Sequence, residues 1–276
     1  MPDVEFWGRA AADFFQSIKI GGHRGAPRIA PENTLESFEK AYESGVDLIE
    51  FDLMLTKDDV VVVMHDDNLL RTCGEPELIA SLTIDQIKKK NAGKTFYTSG
   101  SGEANIYKIP TLEETVKFSM EHKIKMLFDM ISQIANIIAK YNLYDQVIVS
   151  SFFPWVSYAV KKNDPKILTG LTWRSYFFSY EDLENTIPRF HGILHYIALF
   201  ADFINIKLIN SILPQFLGVE MLLTNEQDIS RSIVRDMLKN NIRVVAWTVN
   251  EKEQMAYFIN ILKVFFEVVL ITLMNV

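Results

Sequence analysis

The sequence predicts an α/β fold, a (β/α)8 barrel of TIM type with a long excursion after the second strand, and three observations carry that expectation. Short apolar runs alternate with helical segments along the chain, the pattern of a parallel sheet joined by crossover helices. Candidate strands close at Gly22, Leu53, Asp129, Ser151, Thr172, Leu223, Thr248 and Thr272, eight in 276 residues, close to the ~250 residues such a barrel needs. The turn after the first strand reads GGHRGAPR, without the G-x-G-x-x-G loop that an open doubly wound sheet usually carries.

Taken in order, the first element is a short strand followed at once by His23 and Arg24. In PENTLESFEKAYESG, Asn33 is placed to cap a helix with Glu36 three positions on, and Gly45 supplies the stop. Leu35, Phe38, Ala41 and Tyr42 then share the face expected to be buried. The next strand is Leu48-Ile49-Glu50-Phe51-Asp52-Leu53. Alternate residues of a strand share a face, so Glu50 and Asp52 point one way and Ile49, Phe51 and Leu53 the other. Only about seven residues separate it from the apolar run at 60–64, and a parallel crossover needs a dozen or more. That run must return as a hairpin arm, which brings His65 back beside the carboxylates. Between Asp66 and Pro110 the chain is polar and contains glycine, and reads as a long excursion over one mouth of the barrel. Thr111 and Glu114 form a capping box for a helix with Leu112, Val116 and Met120 as its buried stripe. The runs MLFDM, VIVSSF, LTGLTW, the strand at Leu223 and VVAWTVN complete the alternation, and the apolar stretch Phe190–Gly218 reads as an ordinary buried barrel helix ahead of the other reading it admits, an amphipathic insertion that docks on a membrane.

Composition narrows the function. With 49% apolar and 23% charged residues the chain has a globular balance, and its formal charge of −7 comes without any run of Lys or Arg. No nucleic-acid partner is expected, because binding of that kind rests on neutralising phosphates. A small anionic substrate would need a local positive centre instead, either a metal or a few placed cations. The single cysteine, Cys73, excludes an internal disulfide and a Cys-based zinc site. The opening MPDVEFWGRAAADFFQS lacks the apolar core and basic lead of a signal peptide. Residues 192–201 are apolar or small apart from His195, but the run is half the roughly 20 residues a membrane span needs. The tail Met255–Val276 carries Lys263 and Glu267 and is not expected to span either, and both stretches read as buried barrel elements or membrane-surface contacts.

The chemistry concentrates at strand ends. The Cα atoms of Glu50 and Asp52 lie roughly 6.5 Å apart on an ideal strand. Two carboxylates on one face of an apolar strand repel each other and resist desolvation, and a bound divalent cation removes both problems. A merely acidic, solvent-facing strand is the alternative that the spacing alone leaves open. A lone histidine is usually a hydrogen-bonded structural residue. Here His23 and Arg24 close the first strand and His65 follows the hairpin arm, so two histidines, an arginine and two carboxylates converge on one mouth.

The stretch HRGAPRIAPENTLESFEKAYESGVDLIEFDLMLTKDDVVVVMHDD resembles the opening of the glycerophosphodiester phosphodiesterase family, whose pattern runs H-R-G, P-E-N-T, E-x-D, T-x-D-G and H-D. The likeness continues through KIPTLEE, MLFDM, VIVSSF, LTGLTWR and VVAWTVN, over roughly residues 18–272, and is greatest to an animal, membrane-associated branch. It implies a single domain over 1–276 with its catalytic core over about 18–276. By resemblance, Glu50, Asp52 and Asp129 would hold one divalent ion, and carboxylate oxygens suit Mg²⁺ or Ca²⁺. His23 and His65 would be the general acid and base, a task that fits imidazole near neutrality. Arg24 would hold the phosphate and Trp247 would line the substrate mouth. The implied reaction is hydrolysis of a small glycerophosphodiester, such as glycerophosphoinositol, to glycerol 3-phosphate and an alcohol, with a peripheral membrane contact.

The chain departs from that pattern at four places. Ile131 stands where a Lys is usual, and Leu273 where the last strand usually ends in Asp. The sequence stops at Val276 without the usual final helix, which leaves the barrel closure uncovered unless the segment 6–15 packs there. Asp59 replaces a turn glycine, a mild change because Asp tolerates positive φ. These departures admit two other readings: a catalytically impaired barrel serving as a lipid-surface or protein-binding module, and a phospholipase of the same barrel acting on lysolipids.

Overall fold

The computed structural model describes residues 4–16, 18–96, 106–129 and 134–268. Among these, nine strands form one sheet: β1 (Ile20–His23), β2 (Leu48–Leu55), β3 (Val61–Val63), β4 (Lys125–Asp129), β5 (Val147–Ser151), β6 (Leu168–Trp173), β7 (Met221–Asn225), β8 (Arg243–Trp247) and β9 (Phe265–Val268). All but β3 run parallel, in the order β1-β9-β8-β7-β6-β5-β4-β2, and β1 also pairs with β2, so the sheet closes on itself as the predicted barrel. β3 is the antiparallel hairpin arm of β2, with Leu53 opposite Val63, as the short connection required. Asp59 in the turn has φ 58°, the conformation that makes Asp an acceptable stand-in for glycine there.

Period two sorts the strand residues into two cores. On the outer side Ile49, Phe51 and Leu53 of β2 and Met126 and Phe128 of β4 are buried under the helices Leu35–Glu43 and Leu112–His122. The Phe51 ring lies 5.4 Å from that of Phe38 and 5.0 Å from that of Phe128. On the inner side Leu48, Leu127, Ile148, Leu168, Met221, Leu223 and Val245 fill the barrel. Gly170 belongs to this interior: a Cβ there would meet the Met221 methyl at 2.5 Å and Ser150 Cβ at 3.2 Å. The helix Val4–Phe15 contributes Ala11, Phe14 and Phe15 to the same inner cluster, and the Lys125 ammonium at the start of β4 donates to the Phe14 carbonyl. This segment therefore plugs the N-terminal mouth, where Ala11, Phe14 and Phe15 fill the floor of the barrel. The opposite, C-terminal mouth is left for chemistry.

Other expectations are corrected. The helix Leu35–Glu43 is capped by Thr34, whose Oγ1 accepts the Ser37 N–H at 3.1 Å, and not by Asn33, which is drawn into a left-handed turn with φ 57°. Phe38 and Ala41 are buried but Tyr42 is exposed. The Thr111–Glu114 capping box forms as expected. Of its predicted stripe, Leu112 and Val116 are buried while Met120 is exposed; Ser119 takes the inner position because its hydroxyl is satisfied by the Ile124 carbonyl. The excursion after β3 is no loose loop: Met64, Leu69, Cys73, Ile79, Ile87 and Ile109 give it a core of its own. The stretch 190–218 forms the helices Ile193–Ile209 and Leu213–Leu217, and they are not buried as expected but present a row of exposed apolar side chains. Among the described residues, no helix is long and apolar enough to cross a membrane. Ile131, Thr272 and Leu273 lie outside the described residues.

Candidate active site

Strand register alone assembles the centre. His23 pairs with Glu50 across β1 and β2, and Asp52 pairs with Asp129 across β2 and β4. Residues paired across parallel strands project to the same side, here the C-terminal mouth. Glu50, Asp52 and Asp129 each offer a carboxylate oxygen, all within 4.8 Å of one another, and Glu50 is only 3% exposed.

Arg24 is bent around this trio. Its φ is 55°, its backbone N–H donates to Glu50 Oε2 at 2.9 Å, and its Nε lies 3.5 Å from Asp52 Oδ2. Asn33 answers from the other side: its backbone N–H donates to the Arg24 carbonyl at 3.0 Å, and its amide donates to Asp52 Oδ2 at 3.0 Å. Gly25 between them has φ 85°, and a Cβ there would sit 2.5 Å from Ser37 Oγ. The Ser37 hydroxyl accepts the Ala26 N–H and donates to the Arg24 carbonyl, which locks the turn to the following helix. Two non-glycine residues in the left-handed region beside one charge cluster mark a turn shaped for function.

A chain of ion pairs extends from Arg24 to His65. Arg24 Nη1 donates to Glu32 at 3.0 Å, and Glu32 accepts two bonds from Arg71 at 2.7 Å. Arg71 donates two more to Asp66 at 2.8 and 3.0 Å, and Asp66 lies 2.6 Å from His65 Nδ1. The His65 hydrogen bond, with help from Arg71, holds the Asp66 carboxyl well below the usual carboxylate range. An ionised Asp66 can only accept, so His65 Nδ1 carries the proton and its Nε2 is left for chemistry. Burial works against the charge on Glu32, but Arg71 and Arg24 outweigh it and bring the carboxyl down to about 2. For Arg24 burial is likewise outweighed, by Asp52, Glu32 and Glu50, and the guanidinium is held more firmly charged than usual. His23 Nε2 lies 4.0 Å from Glu50 Oε2; burial above all, then the charges of Arg24 and His65, push its imidazole down to about 3.

The centre fits a divalent cation. Its donors are hard carboxylate oxygens in close mutual reach. Beside it a cavity of about 170 Å³ runs from Asp52, His65 and Asp129 to Phe152 and Phe153. Phe152 stacks on Phe177 at 4.8 Å and meets Trp247 edge-on at 5.9 Å, so Trp247 stands one ring behind the cavity wall. Of the sequence-predicted site residues, Asp52, His65 and Asp129 line the cavity, His23, Arg24 and Glu50 stand against the same carboxylates, and Trp247 lies behind the wall, packed on the inner core.

Sequence reasoning missed Glu32, Asn33, Asp66 and Arg71 as members of the site, and the aromatic wall with them. Glu32 and Asn33 stood in P-E-N-T and Asp66 beside His65, where a signal existed. Arg71 reaches Glu32 across 39 positions, and nothing local announces that pairing.

The comparisons with known proteins agree with this geometry. The model of the glycerophosphoryl diester phosphodiesterase family matches residues 23–264. Glycerophosphodiester phosphodiesterase 1 of Homo sapiens is 28% identical over 87% of this chain and 74% of its own length. The Bos taurus protein of the same name is 30% identical over 86% and 73%. Among solved structures, an Oleispira antarctica phosphodiesterase in complex with the product sn-glycerol-3-phosphate shares the fold with a TM-score of 0.67 at 20% identity, covering 92% of this chain and 94% of that one. Closed barrel, converging strand-end residues and a match over most of the chain lead to one conclusion: it belongs to the glycerophosphoryl diester phosphodiesterase family, and is a phosphoric diester hydrolase.

Proposed function

We propose that this chain hydrolyses water-soluble glycerophosphodiesters, such as glycerophosphoinositol, to glycerol 3-phosphate and an alcohol, with one divalent ion, Mg²⁺ or Ca²⁺, held by Glu50, Asp52 and Asp129. The observation that carries the reading is the carboxylate trio, within 4.8 Å, at a mouth it shares with Arg24 and two histidines. The sn-glycerol-3-phosphate held by the Oleispira antarctica phosphodiesterase supports the substrate class. A cation in the trio supplies positive charge beside the phosphoryl oxygens. Arg24, fixed between Asp52 and Glu32, orients the phosphate. His23 and His65 act as a pair. One removes the proton of the attacking glycerol hydroxyl of the substrate as its oxygen bonds to phosphorus, the other protonates the departing alkoxide as the old P–O bond breaks, and water then opens the cyclic phosphate to glycerol 3-phosphate. Trp247 lines the substrate mouth. A peripheral membrane contact belongs to the same reading, since such substrates derive from phospholipids.

A second reading, hydrolysis of a lysolipid, is favoured by the aromatic wall of Phe152 and Phe153, which could receive an acyl chain. Both are tested by incubating the full chain with glycerophosphoinositol, glycerophosphocholine or a long-chain lysolipid, each with Mg²⁺, with Ca²⁺ and with chelator. The proposal expects glycerol 3-phosphate from the soluble diesters and none in chelator. Release from the lysolipid alone would favour the second reading, and no release from any of the three would overturn both.

A further inference from the structure

We infer that the outward face of the helices Ile193–Ile209 and Leu213–Leu217 docks on an anionic phospholipid bilayer and holds the active-site mouth at its surface. The inference deepens the membrane contact proposed above, and its evidence is separate from the catalytic residues.

At 100° per residue, Ile193, Ile197, Phe200, Ile204 and Leu208 fall on one side of the longer helix, and all are exposed, Phe200 by 66%. On the other side lie Ala198, Asp202 and Ile209, all buried. Asp202 is only 1% exposed and accepts the Phe178 N–H at 3.0 Å, the Ser179 N–H at 2.9 Å and the Ser179 hydroxyl. The helix is therefore anchored to the protein by its one acid and turns its apolar side to solvent, the reverse of an ordinary surface helix. Phe216, 77% exposed on the next helix, extends the face. Contiguous apolar surface of this kind marks an interaction site.

Charge identifies the occupant. Along the two helices the one carboxylate, Asp202, is buried, whereas Lys207 stands exposed on the outward side. In a chain of net charge −7 the helices thus show no exposed acid to repel anionic head groups and a lysine to meet them. A second copy fits worse, because a two-fold dimer would set the same face and its Lys207 against themselves. With a length of about 26 Å and its polar side committed to the barrel, the helix lies along a membrane rather than through it. The helix is also tied to the site through its buried side. Phe153 lines the cavity, its ring lies 6.3 Å from that of Phe177, and the next residue, Phe178, is bonded to Asp202.

The test is co-sedimentation of the full chain with phosphatidylcholine vesicles containing about 30% phosphatidylserine, and with phosphatidylcholine alone. Wild type should partition onto the anionic vesicles. The double variant Phe200→Asp/Ile204→Asp should bind them roughly 10-fold or more weakly with an unchanged Tm, and Lys207→Glu should weaken only the anionic case. Phe216→Asp, on the neighbouring helix, repeats the test should the double variant not fold. Because binding is read without turnover, an inactive protein that still binds would fail the catalytic reading and leave this one standing. Wild type that stays in the supernatant with both vesicles, or folded variants that bind as well as wild type, would overturn the inference. So would a dimer in vesicle-free solution that the double variant dissolves, which would assign the face to a second copy.

Discussion

Arg71 shows how much of the site depends on one side chain outside it. Its guanidinium reaches Glu32, which steadies Arg24, and Asp66, which fixes the His65 ring. The turn at Arg24 and the hairpin histidine come from different strands, and Arg71 is the residue that ties one to the other. Planar, two-pronged pairing of this type is beyond lysine. Arg71→Ala should lower kcat on glycerophosphoinositol roughly 10- to 100-fold with a smaller change in KM, and Arg71→Lys should recover only part of the loss. Steady-state kinetics on folded variants would check it, and an unchanged kcat would make Arg71 a purely structural residue. Glu32 gives the same network a pH signature. Its carboxyl falls from an ordinary 4.5 to about 2 in the folded chain, so its stabilisation is complete above 4.5 and is lost as pH drops towards 2. Glu32→Gln should cost about 1–3 kcal/mol at neutral pH. The Tm difference from wild type should close between about pH 5 and pH 2, and a difference constant across that range would contradict the assignment.

At the scale of elements, some structure was legible because the chain allowed no alternative. Ile49, Phe51 and Leu53 must face the core, so Glu50 and Asp52 must share the other side. The link to β3 is too short for a crossover, so His65 had to return beside them. Where two residues could do one job, sequence alone could not choose. Asn33 and Thr34 are both good caps, and the choice falls to Thr34 because the Asn33 amide is needed at Asp52. Thr34→Ala should therefore destabilise the chain by about 1 kcal/mol in urea denaturation, and a change within error would reassign the cap. The stretch 190–218 misled for a related reason. A run with so few charges reads as buried, and only the fold reveals that its single acid, Asp202, is the group turned inward. Arg71 was invisible because Glu32, the partner that draws it into the site, is 39 positions away, and its own neighbours, Leu70 and Thr72, carry no pattern that points there.

As a whole molecule, the chain is a barrel closed below by its own N-terminal helix and chemically active above. Phe14 and its neighbours seal the floor, apolar layers fill the middle, and the carboxylate trio stands on top of them. Three acids crowded over an apolar core fit the one-cation site proposed above. Calorimetric titration of Mg²⁺ and Ca²⁺ into the full chain, with Tm followed alongside, tests it most directly. A single binding event is expected in wild type, with Tm rising with ion concentration because only the native state binds. That signal should disappear in Glu50→Gln, Asp52→Asn and Asp129→Asn. Equal metal affinity in wild type and all three variants, or hydrolysis undiminished in chelator, would contradict the account.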